Sequence, residues 1–207
     1  MTDKAQTIAV LGGTFDPPHL GHLELARGVA DALGLERVFL VPTGNPHFKL
    51  DEEVAPVAAR VAMTKLLAAE DERLEVSAIE ALRPGVTYTV DTLEELQRLY
   101  PGIPIFFIVG GDCAAHIWRW RAADRLAKLC TVVAVERSGY DFTAAQRDLE
   151  ASGLGFDVRY LHLDVPDVSS TEIRRRVAAG EGLAGLVPAS VEAFIRRQGL
   201  YRPRPRA

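Results

Sequence analysis

Ile8-Ala9-Val10-Leu11 is a short apolar run, and Gly12-Gly13-Thr14-Phe15-Asp16-Pro17-Pro18-His19-Leu20-Gly21-His22 follows it without a break. Leu20, Leu23, Ala26, Ala30 and Leu33 then recur at helical spacing up to Gly34. Strand, glycine turn and helix start, in that order, mark the place where α/β folds bind phosphate. Gly12 and Gly13 allow a tight turn and a close approach of backbone to ligand. Pro17 and Pro18 lack N–H groups and suit the entry to a helix, where N–H groups are unpaired. His19 and His22 share a face of a helix that begins near them. Both imidazoles then stand at its positive end, a setting for an oligophosphate. The glycine spacing is not that of a dinucleotide fingerprint, which weakens a dehydrogenase reading, and there is no Walker Gly-Lys-Ser/Thr.

The same alternation continues along the chain. Strands are predicted at Ile8–Leu11, Arg37–Val41, Leu74–Ile79, Ile105–Val109, Thr131–Val135 and Val158–Leu163. Val57, Val61, Leu66 and Leu67 mark a second helix, and Val90, Leu93, Leu96 and Leu99 a third. Ala122 to Leu129 and Thr143 to Ser152 give two more. Such a chain predicts an α/β fold: a Rossmann-like, open, mostly parallel twisted sheet with helices on both faces and right-handed crossovers. The 207 residues suffice for a single domain. Two closing helices are expected, one from about 169 to Gly180 and one from Pro188 to Gly199, with 202–207 frayed.

Ser169-Ser170-Thr171-Glu172 has the pattern of a capping box, and Arg174, Arg175 and Arg176 follow. Hydroxyls and N–H groups at a helix start can meet phosphate oxygens, and an arginine adds a planar fork. Capping followed by solvated arginines explains the same residues. Gly110-Gly111-Asp112 follows a predicted strand, where an acidic group can hold ribose hydroxyls or cap a helix. Trp118 and Trp120 lie beyond it, either core residues or a platform for an aromatic base. Thr89 can cap the third helix. Asn45 and Lys49, in the loop after the second strand, can meet an acceptor phosphate or water. The formal net charge of −4 argues against a nucleic-acid binder relying on bulk charge. Cys113 and Cys130 form no disulfide framework, and Cys130 is expected as a buried thiol. No signal peptide or membrane-span pattern is visible, so a cytoplasmic protein without a membrane or nucleic-acid partner is expected.

The Gly12–His22 stretch resembles the signature of the nucleotidyltransferase superfamily, and Ser-Ser-Thr-x-Ile-Arg resembles its second signature. Nearly the whole chain, from the first strand to Leu200-Tyr201, is similar to the bacterial nicotinate mononucleotide adenylyltransferases. Tyr88-Thr89-Val90-Asp91-Thr92-Leu93 and Phe107-Ile108-Val109-Gly110-Gly111-Asp112 match further phrases of that family, as does Trp120. Many members have Pro-Pro-His-Lys in the second-strand loop; Pro46-His47-Phe48-Lys49 has Phe48 where that histidine would be, while Lys49 matches. The resemblance implies transfer of the adenylyl group of ATP to nicotinate mononucleotide, with Mg²⁺ carried on the ATP. His22, His19 and Arg174 would be catalytic. Gly12, Gly13, Thr14, Phe15, Gly110, Asp112, Ser169, Ser170 and Thr171 would join them in binding ATP. The acceptor would meet Asn45, Lys49, Thr89, Trp120 and the backbone N–H of Arg121.

Mononucleotide phosphate is already an anion, so the reaction needs positioning and charge stabilisation rather than a general base. Phosphates nearby favour charged imidazole, so a cationic histidine pair is expected with ATP bound. The rivals are a nicotinamide or dual-specificity relative, phosphopantetheine adenylyltransferase, and a silent nucleotide-sensing module.

Overall fold

The computed structural model describes residues 7–44, 54–136 and 142–203, and Asp112 in its backbone alone. Six strands form one sheet: β1 (Ile8–Gly13), β2 (Val38–Pro42), β3 (Leu74–Val76), β4 (Ile105–Gly110), β5 (Thr131–Glu136) and β6 (Val158–His162). Their order is β3-β2-β1-β4-β5-β6, and every pairing is parallel. This is the 3-2-1-4-5-6 order of the doubly wound nucleotide-binding fold. The strand order reverses between β1 and β4, and the crevice beyond their carboxyl ends is where such sheets bind ligands.

Alternation within the strands explains the two helix layers. Ala9 and Leu11 of β1, with Phe106 and Ile108 of β4, join a core that includes Ile173, Val191 and Ile195 from the end of the chain. Ile8 and Val10, with Ile105, Phe107 and Val109, join the opposite core with Leu93, Leu96 and Leu126. Side chains of period two thus feed both faces, as a sheet covered on both sides requires. The helices are α1 (Leu20–Leu33), α2 (Val57–Ala68), α3 (Thr89–Leu99), α4 (Gly111–Ala114), α5 (Ala123–Leu129), α6 (Thr143–Ala151), α7 (Ser170–Ala179) and α8 (Ala189–Gln198). None of them is long and apolar enough to cross a membrane.

One expectation needs correction, and the packing of two expected helices differs in detail. Gly12 and Gly13 are the last residues of β1, paired with Val41 and Pro42, rather than a turn after it. The helix marked by Val57, Val61, Leu66 and Leu67 is α2, but its buried face holds Arg60, Met63, Thr64, Leu67 and Ala68, with Val57, Val61 and Leu66 only partly buried. Leu99, the last residue of α3, is 62% exposed, because the helix ends there and the core contact passes to Tyr100.

Candidate active site

His19 is the N-cap residue of α1, in extended conformation, and is buried. One turn on, the His22 ring lies against it with centroids 3.7 Å apart, and the Phe15 ring meets His22 with centroids 4.8 Å apart. The backbone N–H of His19 donates to His22 Nδ1 at 3.3 Å. Acceptance at Nδ1 leaves the proton of a neutral ring on Nε2, so His22 is held as an oriented N–H donor. Gly21 has a steric reason: a Cβ there would stand 3.0 Å from His19 Nδ1 and 3.2 Å from the Pro166 carbonyl oxygen. Any side chain would displace His19.

The start of α7 is fastened to the same turn. Ser169 caps the helix, its Oγ accepting from the Glu172 N–H at 3.2 Å. Ser170 Oγ donates to the Pro17 carbonyl at 2.9 Å. Arg174 Nη1 donates to the Asp16 carbonyl at 2.9 Å, and Nη2 to Thr171 Oγ1 at 3.3 Å. The structure therefore brings Ser169, Ser170, Thr171 and Arg174 to Gly12–His22, across a long sequence separation. It gives the serine hydroxyls protein partners rather than leaving them turned outward. Arg175 and Arg176 instead pair with Glu172 and Glu181 on the surface.

On the far side of the crevice, Gly110 ends β4 as the N-cap residue of α4, with nothing within 4 Å of where a Cβ would be. Asp112 follows inside α4, so the capping reading of Asp112 is replaced by Gly110. Trp120 is partly exposed and meets the Phe107 ring edge-on at 6.0 Å. Arg121 lays its guanidinium over the Tyr88 ring at 4.3 Å. That contact joins the Tyr88-Thr89 and Trp120-Arg121 segments. Tyr88, not Thr89, is the N-cap residue of α3; Thr89 opens the helix. Trp118 is engaged elsewhere, donating to the Ala115 carbonyl under Arg119. Asn45, His47, Phe48 and Lys49 lie outside the described residues.

Sequence reasoning missed a buried polar core beneath the crevice. Arg60 is 1% exposed and donates to the carbonyls of Thr14 (2.8 Å), Thr43 (2.6 Å), Gly44 (2.8 Å) and Ala55 (3.0 Å). Burial pushes its guanidinium below the usual value, while the nearby Asp16 and Tyr201 oppose that shift. Asp16, 2% exposed, accepts from the Tyr201 hydroxyl at 2.7 Å and the Ala55 N–H at 3.2 Å. Its other carboxylate oxygen is 3.9 Å from Arg174. One signal was available: an arginine within an otherwise apolar helical repeat. A separate recess of about 610 Å³, between Leu35, Arg37, Tyr100 and Phe106, lies at the opposite ends of the strands.

Residues 10–176 match the cytidylyltransferase-like family. A "probable nicotinate-nucleotide adenylyltransferase" of Thermus thermophilus is 43% identical over 197 residues, covering 94% of this chain and 99% of that protein. One from Corynebacterium kroppenstedtii is 40% identical over 196 residues, 95% of this chain and 91% of its own. Among solved structures, the Plasmodium falciparum nicotinic acid mononucleotide adenylyltransferase complexed with NaAD superposes with a TM-score of 0.76. It is 17% identical and covers 95% of this chain and 97% of its own, so that likeness speaks to the fold. By fold, sequence and extent of match, this chain belongs to the cytidylyltransferase-like family and, within it, to the nicotinate-nucleotide adenylyltransferases.

Proposed function

We propose that this chain transfers the adenylyl group of ATP to nicotinate mononucleotide, giving deamido-NAD and pyrophosphate in NAD biosynthesis. The observation that carries the reading is the His19–His22 pair at the head of α1, with Arg174 fastened to the same turn. A phosphate oxygen of the mononucleotide attacks the α-phosphorus of ATP. The bond to the bridging oxygen breaks, and pyrophosphate leaves with the electron pair. His22 donates from Nε2 to the α-phosphate oxygens as charge gathers there, while His19, Arg174 and the N-terminus of α1 hold the triphosphate. Gly110 and Asp112 hold the adenylate ribose, and α7 and α8 close the nucleotide side. Mg²⁺ arrives on the ATP phosphates. The donors at the crevice are imidazole, guanidinium and backbone N–H groups, which suit phosphate oxygens rather than a cation. Among the described residues no group of three or more His, Cys, Asp or Glu gathers as metal ligands.

On the acceptor side, the pyridine ring stacks on Trp120, and its carboxylate accepts from the Thr89 hydroxyl and the Arg121 N–H. A carboxamide would turn its NH₂ against one of those donors. Unpaired buried polar groups cost about 1–3 kcal/mol each. Two such losses predict a kcat/KM ratio of roughly 10²–10⁴ for the nicotinate over the nicotinamide acceptor. The test is pyrophosphate release with ATP, Mg²⁺ and each acceptor in turn. Release with neither sinks the reading, and a ratio under about tenfold removes the donor pair while keeping the enzyme.

A further inference from the structure

The geometry points to Tyr201 as a positioning residue for the ATP half of the site, acting through Asp16 on Arg174; this rests on the function proposed above. Among the described residues, three other than glycine hold a left-handed backbone: Phe15 (φ 50°), Ala122 (φ 51°) and Tyr201 (φ 61°). Such conformations cost energy for residues with a Cβ and persist where the surroundings fix them. Phe15 packs on His22, and Ala122 follows Trp120-Arg121. Tyr201 is the one with no place in the reaction described so far. It follows the Gly199 end of α8 and sends its hydroxyl to Asp16 Oδ1 at 2.7 Å, across a separation of 185 residues.

That hydroxyl decides what a buried carboxylate does. Asp16 Oδ1 accepts from Tyr201 and from Ala55, while Oδ2 stands 3.9 Å from Arg174 Nη1. The same nitrogen donates to the Asp16 main-chain carbonyl. Arg174 is therefore held by the peptide of Asp16 and kept just outside full contact with its carboxylate. Burial, followed by the Asp16 charge, pushes the Tyr201 hydroxyl well above the ordinary phenol range, so it remains a donor. Without that donor the buried anion has to draw another. Arg60, the other cation near Asp16, already donates to four carbonyls, whereas Arg174 stands 3.9 Å from Oδ2. A guanidinium spent on Asp16 is withdrawn from the triphosphate. None of these contacts involves Trp120 or Thr89, which bind the pyridine ring, so that part of the acceptor half is unaffected.

Tyr201→Phe keeps the ring and removes only the hydroxyl. We expect the KM for ATP to rise about tenfold, with the KM for nicotinate mononucleotide unchanged. Asp16→Asn keeps an acceptor and removes the charge. In that background Tyr201→Phe should leave the ATP KM unchanged, because the anion that recruits Arg174 is gone. Calorimetric binding of a non-hydrolysable ATP analogue to wild type and Tyr201→Phe reads the same shift with no acceptor present. If neither acceptor turns over, that shift still decides the role of Tyr201 separately from the reaction. An unchanged ATP KM and analogue affinity overturns the proposal. So does an equal rise for both substrates, or the same fold effect in the Asp16→Asn background, since a merely structural role would give those results.

Discussion

His22 is fixed at one ring nitrogen by the His19 N–H and in tilted contact with the His19 and Phe15 rings, so its remaining nitrogen has a single direction. A preorganised donor of this kind typically contributes about 10²–10³ in kcat. His22→Ala is therefore expected to lower kcat by roughly that factor with a smaller change in ATP affinity. Near-normal turnover of the folded variant would remove His22 from the chemistry. Arg174 and Arg176 are two residues apart and face different surroundings. Arg174 meets Asp16 and Thr171, whereas Arg176 meets Glu172 and Glu181. Arg174→Ala should impair ATP use by about 1.5–3 kcal/mol, the scale of a lost charged contact. Arg176→Ala should be nearly silent in the same steady-state assay, and like behaviour of the two would show that the wrong arginine has been chosen. That His19 and His22 share the start of α1, and that Arg175 and Arg176 stay on the surface, was legible in the sequence. The tautomer of His22 was not, because it depends on the path of the His19 backbone.

Among the elements, α7 combines a cap, a charge network and a docking contact within its first two turns. Ser169 supplies the cap, and Glu172 receives Arg175 and Arg176. Hydrogen bonds from Arg175 first, and Arg176 next, hold the Glu172 carboxyl down at about 2, below its ordinary value of 4.5. A depressed carboxyl stabilises the fold above its unfolded-state pKa, and that contribution disappears as pH falls through the folded value. The window here runs from about 4.5 down to about 2. Because the network is exposed, solvent screening keeps the effect small. Comparing thermal midpoints of wild type and Glu172→Gln as the pH is lowered should show a small wild-type advantage vanishing across that window. An advantage that persists at the acid end would mean the arginines act through something other than the ionised carboxylate. The cap itself was readable from Ser169 and Glu172 at their spacing. That Ser170 would be spent on Pro17 was not, since the partner is 153 residues away.

Across the whole molecule, Arg60 ties the end of β1, the end of β2 and the approach to α2 into one unit through four carbonyls. Arg60→Met would keep bulk and leave those carbonyls, and the Asp16 charge, without their cation. Breaking a buried charged contact in this way costs about 3–5 kcal/mol. For a chain of this size that corresponds to a fall in Tm of roughly 6–20 °C, measurable by circular dichroism. A change of only a degree or two would mean that water or a shifted side chain replaces the guanidinium. The sheet order and the layers followed from strand–helix alternation, and the six strands were placed to within a few residues. Arg60 escaped because helical periodicity reads apolar faces, and an arginine interrupting such a face is ordinarily taken for a solvated one.

The reversal of strand order between β1 and β4 has a practical side. Residues before the exposed Pro101-Gly102 turn carry β1 to β3 with His19, His22 and Thr89. Those after it carry β4 to β6 with Gly110, Trp120 and Arg174. Neither segment holds a complete site, and the two meet along the β1–β4 ladder. Divided at that turn, the chain becomes a pair of fragments whose catalysis is conditional on their encounter. Each half could be fused to one of two other proteins, and product formation would then signal that those proteins had come together.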